Sequence, residues 1–157
     1  MKRSFLLALG ALLSLGGSAM AKDCVTVAGR VVEVTVADEN PHVPRVVGTV
    51  AGGLQGVKTA ILTSLTPTSP NTFDVTTADT FVTGPGDTLT ATGKAVFTFN
   101  QDGTVSDQLT LTVTGGTGKW ANASSGTIEV TGTAFNLFAP PGNGYLVVQY
   151  KGTVCRD

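Results

Sequence analysis

The chain has 157 residues, of which 10 are basic and 11 acidic, and charged residues make up only 13%. A formal net charge of −1 leaves no basic stripe for nucleic acid and no polybasic patch for anionic lipid. Threonine occurs 25 times and glycine 20 times, a composition that favours pleated strands punctuated by tight turns.

Lys2 and Arg3, the apolar run 5–15 and the small residues of Ala19-Met20-Ala21 have the layout of an export signal cleaved after Ala21. The run falls short of the roughly 20 residues that a spanning helix needs, and Cys24 lacks the small-residue sequence that precedes a lipidated cysteine. Residues 1–21 are therefore expected to be a signal peptide, with no membrane anchor, and 22–157 a single secreted or periplasmic domain. Its charge would be 8 basic against 11 acidic residues. Cys24 and Cys155 lie near the two extremities of that domain. In an oxidising compartment they read as a disulfide, with two free thiols as the alternative.

Beyond the leader, no window keeps helical spacing. Alternation predicts strands over 24–36, 45–54, 57–65, 72–83, 88–99, 104–114, 127–135 and 145–155. Turn residues separate them. Gly84-Pro85-Gly86-Asp87 reverses the chain, Asn100-Gln101-Asp102-Gly103 is a hairpin signal, and Pro140-Pro141-Gly142-Asn143-Gly144 leads into the last strand. Leu109, Leu111 and Val113 should face inward, as should the rows 89–99 and 128–134 taken at every second residue. Small residues among large ones suit a curved wall. The fold class is all-β. Eight antiparallel strands on short connections can close into an up-and-down β-barrel, which removes exposed edges. Cys24 and Cys155 would then clamp the seam between first and last strands, although a two-sheet sandwich would also bring the ends together.

Between the sixth and seventh strands lies Gly115-Gly116-Thr117-Gly118-Lys119-Trp120, followed by Ala121-Asn122-Ala123 and Gly126. It is no phosphate loop: Trp120 stands where a Walker loop needs Ser or Thr, and a strand follows where a dinucleotide turn needs a helix. This run resembles the glycine-rich turn of the barrel shared by allene oxide cyclases and plant dirigent proteins. Gly48-Thr49-Val50 with Gly52-Gly53-Leu54 is similar to the early strands of bacterial secreted members. The stretch 103–113 is similar to the strand before the signature, and Gly152-Thr153-Val154-Cys155 to the closing strand. The family commonly has Phe or Tyr at the position of Trp120. Ala123-Ser124-Ser125-Gly126 holds one residue more than the family turn, which is expected to make a bulge or a longer turn.

The resemblance implies a calycin-like, eight-stranded barrel, commonly a homotrimer, with a largely apolar interior cavity and no cofactor. Plant cyclases use that interior to close a ring on a fatty-acid epoxide, and dirigent proteins use it to steer phenolic radicals. The turn itself is scaffold and carries neither chemistry. In the cyclases an acid of the first strand points into the cavity, and Glu33 stands at a similar place. As an interior carboxyl group it would be the catalytic candidate, able to stabilise charge or exchange a proton. The strand by itself favours a solvent-facing Glu33, opposite a row of valines.

The other chemistry-bearing residues read more plainly. Glu129 belongs to an outward threonine row. Asp38, Glu39 and Asp79 are expected in or near loops, solvated. Arg30 is a conceivable partner of Glu33. His42, the single histidine, can build no metal cluster alone and has no marked nucleophile. Asn122-Ala123-Ser124 fits a glycosylation sequon, relevant only in a eukaryotic secretory path. The leading expectation is a barrel that binds a small apolar or aromatic molecule inside. The alternatives are an isomerase or cyclase with an interior acid, and a structural extracellular protein. An outer-membrane barrel is disfavoured by outward rows of threonine. A cavity with a buried carboxylate points to the enzyme, an apolar one to binding, and a filled one to the structural role.

Overall fold

The computed structural model describes residues 23–36, 45–84, 86–137 and 143–157. The expected export signal, Asp38, Glu39, His42 and Pro85 lie outside the described residues. Stiff branched side chains at every second position produce eight strands: β1 Asp23–Val36, β2 Arg45–Gly52, β3 Gly56–Ser69, β4 Thr72–Thr83, β5 Asp87–Phe99, β6 Thr104–Gly116, β7 Ala123–Phe135 and β8 Tyr145–Arg156. Among the described residues there is no α-helix, and one 3-10 turn, Gly118–Trp120, precedes β7.

Each strand runs antiparallel to its sequence neighbours, and β8 returns to pair with β1, so the sheet is a closed ring. The sandwich alternative is thereby set aside. Cys24 stands opposite Cys155 across the β1/β8 seam and is disulfide-bonded to it. The inward rows are those that alternation marked: Leu109, Leu111 and Val113 of β6, Leu89, Ala91, Ala95 and Phe97 of β5, and Ile128, Val130 and Ala134 of β7 are all buried. The outer wall is less uniformly polar than expected, since Val32, Val34, Val57, Val82 and Val96 are exposed.

Strand bounds differ from expectation by two residues or more in four places, one of them β6, which runs on from 114 to Gly116. β2 stops at Gly52, whose φ of +99° turns the chain out of the sheet. β3 continues to Ser69, past the expected end at 65, through two register shifts against β4. Hydroxyl contacts of Thr63 and Ser64 with Thr76 accompany the first shift. β7 begins at Ala123, with a register shift between Ala123 and Ser125 where the extra serine is absorbed.

The two ends of the ring differ. The end carrying the 53–55 and 117–122 connections is closed by Trp120, whose indole Nε1 donates to Thr83 Oγ1 at 2.9 Å. The glycine cluster makes this closure fit. A Cβ on Gly116 would lie 2.6 Å from the Trp120 Cβ, and one on Gly118, at φ +58°, would meet the Asp87 carboxylate. At the opposite end β1 leaves the ring and β8 enters it. There Gly144 N donates to Thr35 Oγ1 at 3.1 Å, and Thr35 N donates to Gly144 O at 2.9 Å.

Candidate functional site

Inside the ring, four ionisable side chains point inward from four strands. Glu33 of β1, Lys58 of β3, Asp79 of β4 and Asp107 of β6 are each no more than 5% exposed. Lys58 Nζ lies 2.8 Å from Glu33 Oε1 and 2.8 Å from Asp79 Oδ1. The first contact is a hydrogen bond. The second is an ion pair without good hydrogen-bond alignment. Thr77 Oγ1 donates to Asp79 Oδ2 in a short bond. The Phe81 ring lies 5.9 Å from the ammonium.

Small residues in register with these side chains make the room. Glu33 is opposite Gly48, and Gly48 is opposite Lys58, so the salt bridge crosses β2 where no side chain stands between them. Thr77 is opposite Gly93, and Asp107 is opposite Gly132. Charges so placed sit in a low dielectric, where an unpaired ion costs several kcal/mol or more.

Burial alone would pull the Lys58 ammonium down, but the carboxylates of Asp79 and Glu33 outweigh it and hold the group above its ordinary value of 10.5. Asp107 stands differently. Burial is the main cause that pushes its carboxyl up to about 7; the Lys58 charge opposes this, and Glu33 and Asp79 add to it. Its Oδ1 is buried with no hydrogen-bond partner. Asp107 and the Lys58 cluster border one cavity of about 20 Å³, walled by apolar side chains including Ala95, Phe97, Val130 and Leu137. That is room for about one water molecule. Leu137 is turned into this cavity just after Asn136, a non-glycine residue at φ 51°.

Several sequence expectations are corrected here. Glu33 faces the interior and not solvent, because its alternation partners are Val31 and Thr35, both buried, while the valines at 32 and 34 are outside. Asp79 is no loop residue. It lies within β4 in phase with Val75, Thr77 and Phe81, and is 2% exposed. Arg30 cannot serve as the partner of Glu33, since it is exposed on the opposite face of β1; Lys58 fills that role. Glu129 is outside as expected, accepting from Thr110 Oγ1. The residues 115–120 do not line the cavity beside the cluster and instead build one end of the ring.

Lys58 and Asp107 were missed as site residues altogether. Their strand phase carried the signal: Lys58 is two residues from buried Ala60, and Asp107 lies between buried Val105 and Leu109 at the same spacing. No helix among the described residues is long and apolar enough to cross a membrane, and the disulfide is compatible with an oxidising compartment. Comparison of the chain with protein-family models, curated proteins and solved structures finds no match.

Proposed function

We propose that the interior near Asp107 binds one small, largely apolar guest that presents a polar group to this carboxyl, in a secreted or periplasmic protein built on an allene oxide cyclase- or dirigent-like barrel. The observation that carries the reading is the unpartnered, buried Asp107 Oδ1 at the edge of an apolar-walled cavity. A packing role gives no reason to bury a carboxyl group without a partner, since an unsatisfied polar atom destabilises by about 1–3 kcal/mol. Perturbed acids beside an apolar pocket are common at binding and catalytic sites. The neighbour-to-neighbour strand order and the Trp120 turn support the up-and-down, calycin-like form of the fold.

The cavity has room for about one water, so a ring-sized guest enters by displacing lining side chains such as Leu137. Native mass spectrometry of the purified protein, with titration of the neutral aromatic probe N-phenyl-1-naphthylamine, tests this. One saturable site per chain is expected. Ala95→Phe, which fills the cavity, should abolish it while the β circular dichroism is kept. Absence of both a retained molecule and saturable probe binding would overturn the proposal in favour of a structural barrel.

A second reading, isomerisation or cyclisation of the guest, is favoured by the same carboxyl. An acid with a pKa of about 7 is suited to give and take a proton near neutrality. Glu33, held by Lys58, is the weaker candidate for that step. Under this reading Asp107→Asn keeps probe binding and loses turnover.

A further inference from the structure

The Lys58–Asp79–Glu33 arrangement holds a primary amine against one carboxyl group while a second carboxylate touches the same nitrogen. We propose that Lys58 and Asp79 condense spontaneously to an intramolecular amide that staples β3 to β4, with Glu33 as proton carrier and Thr77 as the donor that steadies the reacting carboxyl. The proposal is independent of any guest.

Geometry supplies the first argument. Lys58 Nζ is in contact with Asp79 Oδ1 at 2.8 Å and with Glu33 Oε1 at 2.8 Å. Reactants held together reach effective concentrations of about 10⁵ M or more when they turn into line for attack. Thr77 Oγ1 donates to the other oxygen, Oδ2, which is where negative charge develops when a nucleophile adds to the carboxyl carbon.

Chemistry and burial supply the second. The ammonium is the favoured form, so the step starts from the minor state in which Lys58 has passed a proton to Glu33 and the freed lone pair attacks Asp79 Cγ. A C–N bond forms, and the charge on Oδ2 rests on the Thr77 hydroxyl. Glu33 then relays protons from nitrogen to Oδ1. The Cγ–Oδ1 bond breaks, and Oδ1 leaves as water. Ammonium plus carboxylate become amide plus water, with no redox change and no co-reactant. The step removes two opposite charges from a site where burying each is costly, and leaves a neutral group. Both side chains are 3% exposed or less, so bulk water has little access to reverse the step. The adjoining cavity of about 20 Å³ has room for the water released.

Intact-mass measurement of the purified, reduced, denatured protein tests the proposal on the unmodified sequence. The expected mass is lower than that of the chain by one water, and peptide mapping should join the segment holding Lys58 to that holding Asp79. Lys58→Arg should restore the full mass, and Glu33→Gln should leave most of the chain uncondensed. A reduced wild-type mass equal to that of the open chain would overturn the proposal. So would a lost water mapped elsewhere, as at Asp102-Gly103, where an aspartyl–glycine step can cyclise on its own. A Glu33→Gln protein that condenses fully would remove Glu33 from the mechanism.

Discussion

At the scale of single residues, Asp107 makes stability depend on pH in an unusual direction. Its carboxyl has an ordinary value of 3.8 and is pushed up to about 7 by burial, against the opposing Lys58 charge and with help from Glu33 and Asp79. The folded state thus holds a proton that the unfolded chain has already released. Stability from this group is fully present below about pH 4, falls as pH rises, and is lost above about pH 7. The full effect is about 4 kcal/mol, from roughly three pKa units at 1.36 kcal/mol each. Asp107→Asn should flatten the slope of urea-unfolding free energy between pH 4 and 7 and raise stability at pH 8. An unchanged slope would show that Asp107 is solvated. If Lys58 and Asp79 are joined as an amide, one opposing and one reinforcing charge disappear together, and burial still holds the group up. The phase of each strand made these residues legible in principle: Glu33, Lys58, Asp79 and Asp107 all fall on apolar inward rows. What hid them is that a charged residue on an inward row is read as outward or as loop unless its partner is known, and the partner comes from another strand, 25 residues away for Glu33 with Lys58. Pairing across the ring is a property of register, which a single chain does not display.

At the scale of the strand, glycine decides whether the cluster can exist. β2 contributes Gly48 between Glu33 and Lys58. A Cβ there would lie 2.3 Å from Val32 O and 2.5 Å from Glu33 Cγ. Backbone and a packed side chain would both have to shift, and the Glu33–Lys58 contact would open. Gly48→Ala is expected to destabilise by about 2–4 kcal/mol, adding overpacking to a weakened buried ion pair. Gly86→Ala serves as the comparison: its φ is +106° but nothing lies within 4 Å of the added atom. It should therefore cost only the backbone term, about 1 kcal/mol. Denaturation midpoints of the two variants check this, and equal losses would mean that the space at Gly48 is not needed. The same scale explains how far strand reading reached. Period-two alternation placed all eight strands, because inward runs such as Leu109, Leu111 and Val113 alternate with threonines. It ended β3 early, because residues 63–69 are exposed and alternate no longer; pairing with β4 alone carries the strand there.

At the scale of the whole molecule, closure joins the two most distant strands of the sequence. β1 and β8 pair over twelve residues, from Asp23↔Arg156 to Val34↔Tyr145, and every other strand pairs with an immediate neighbour. The local hairpins can form with little loss of chain entropy, but this last seam must overcome the largest loop closure. The Cys24–Cys155 disulfide, with a sequence separation of 131, acts on that one term. It keeps the ends together in the unfolded chain and so removes most of the entropy lost when the ring shuts. On the chain-entropy model a loop of this size is worth about 5 kcal/mol, and measured values are usually lower. Cys24→Ser with Cys155→Ser should therefore lower unfolding free energy by about 3–5 kcal/mol. The β signal and the Trp120 fluorescence of the folded state should stay unchanged, because Cys24 and Cys155 lie on the seam and not in the inward core. Refolding should slow more than unfolding accelerates, since the bond constrains the open chain and not the closed ring. An unaltered midpoint would mean that the unfolded chain already keeps its ends together without the bond. A loss felt only in the unfolding rate would mean that β1 and β8 meet after the folding barrier.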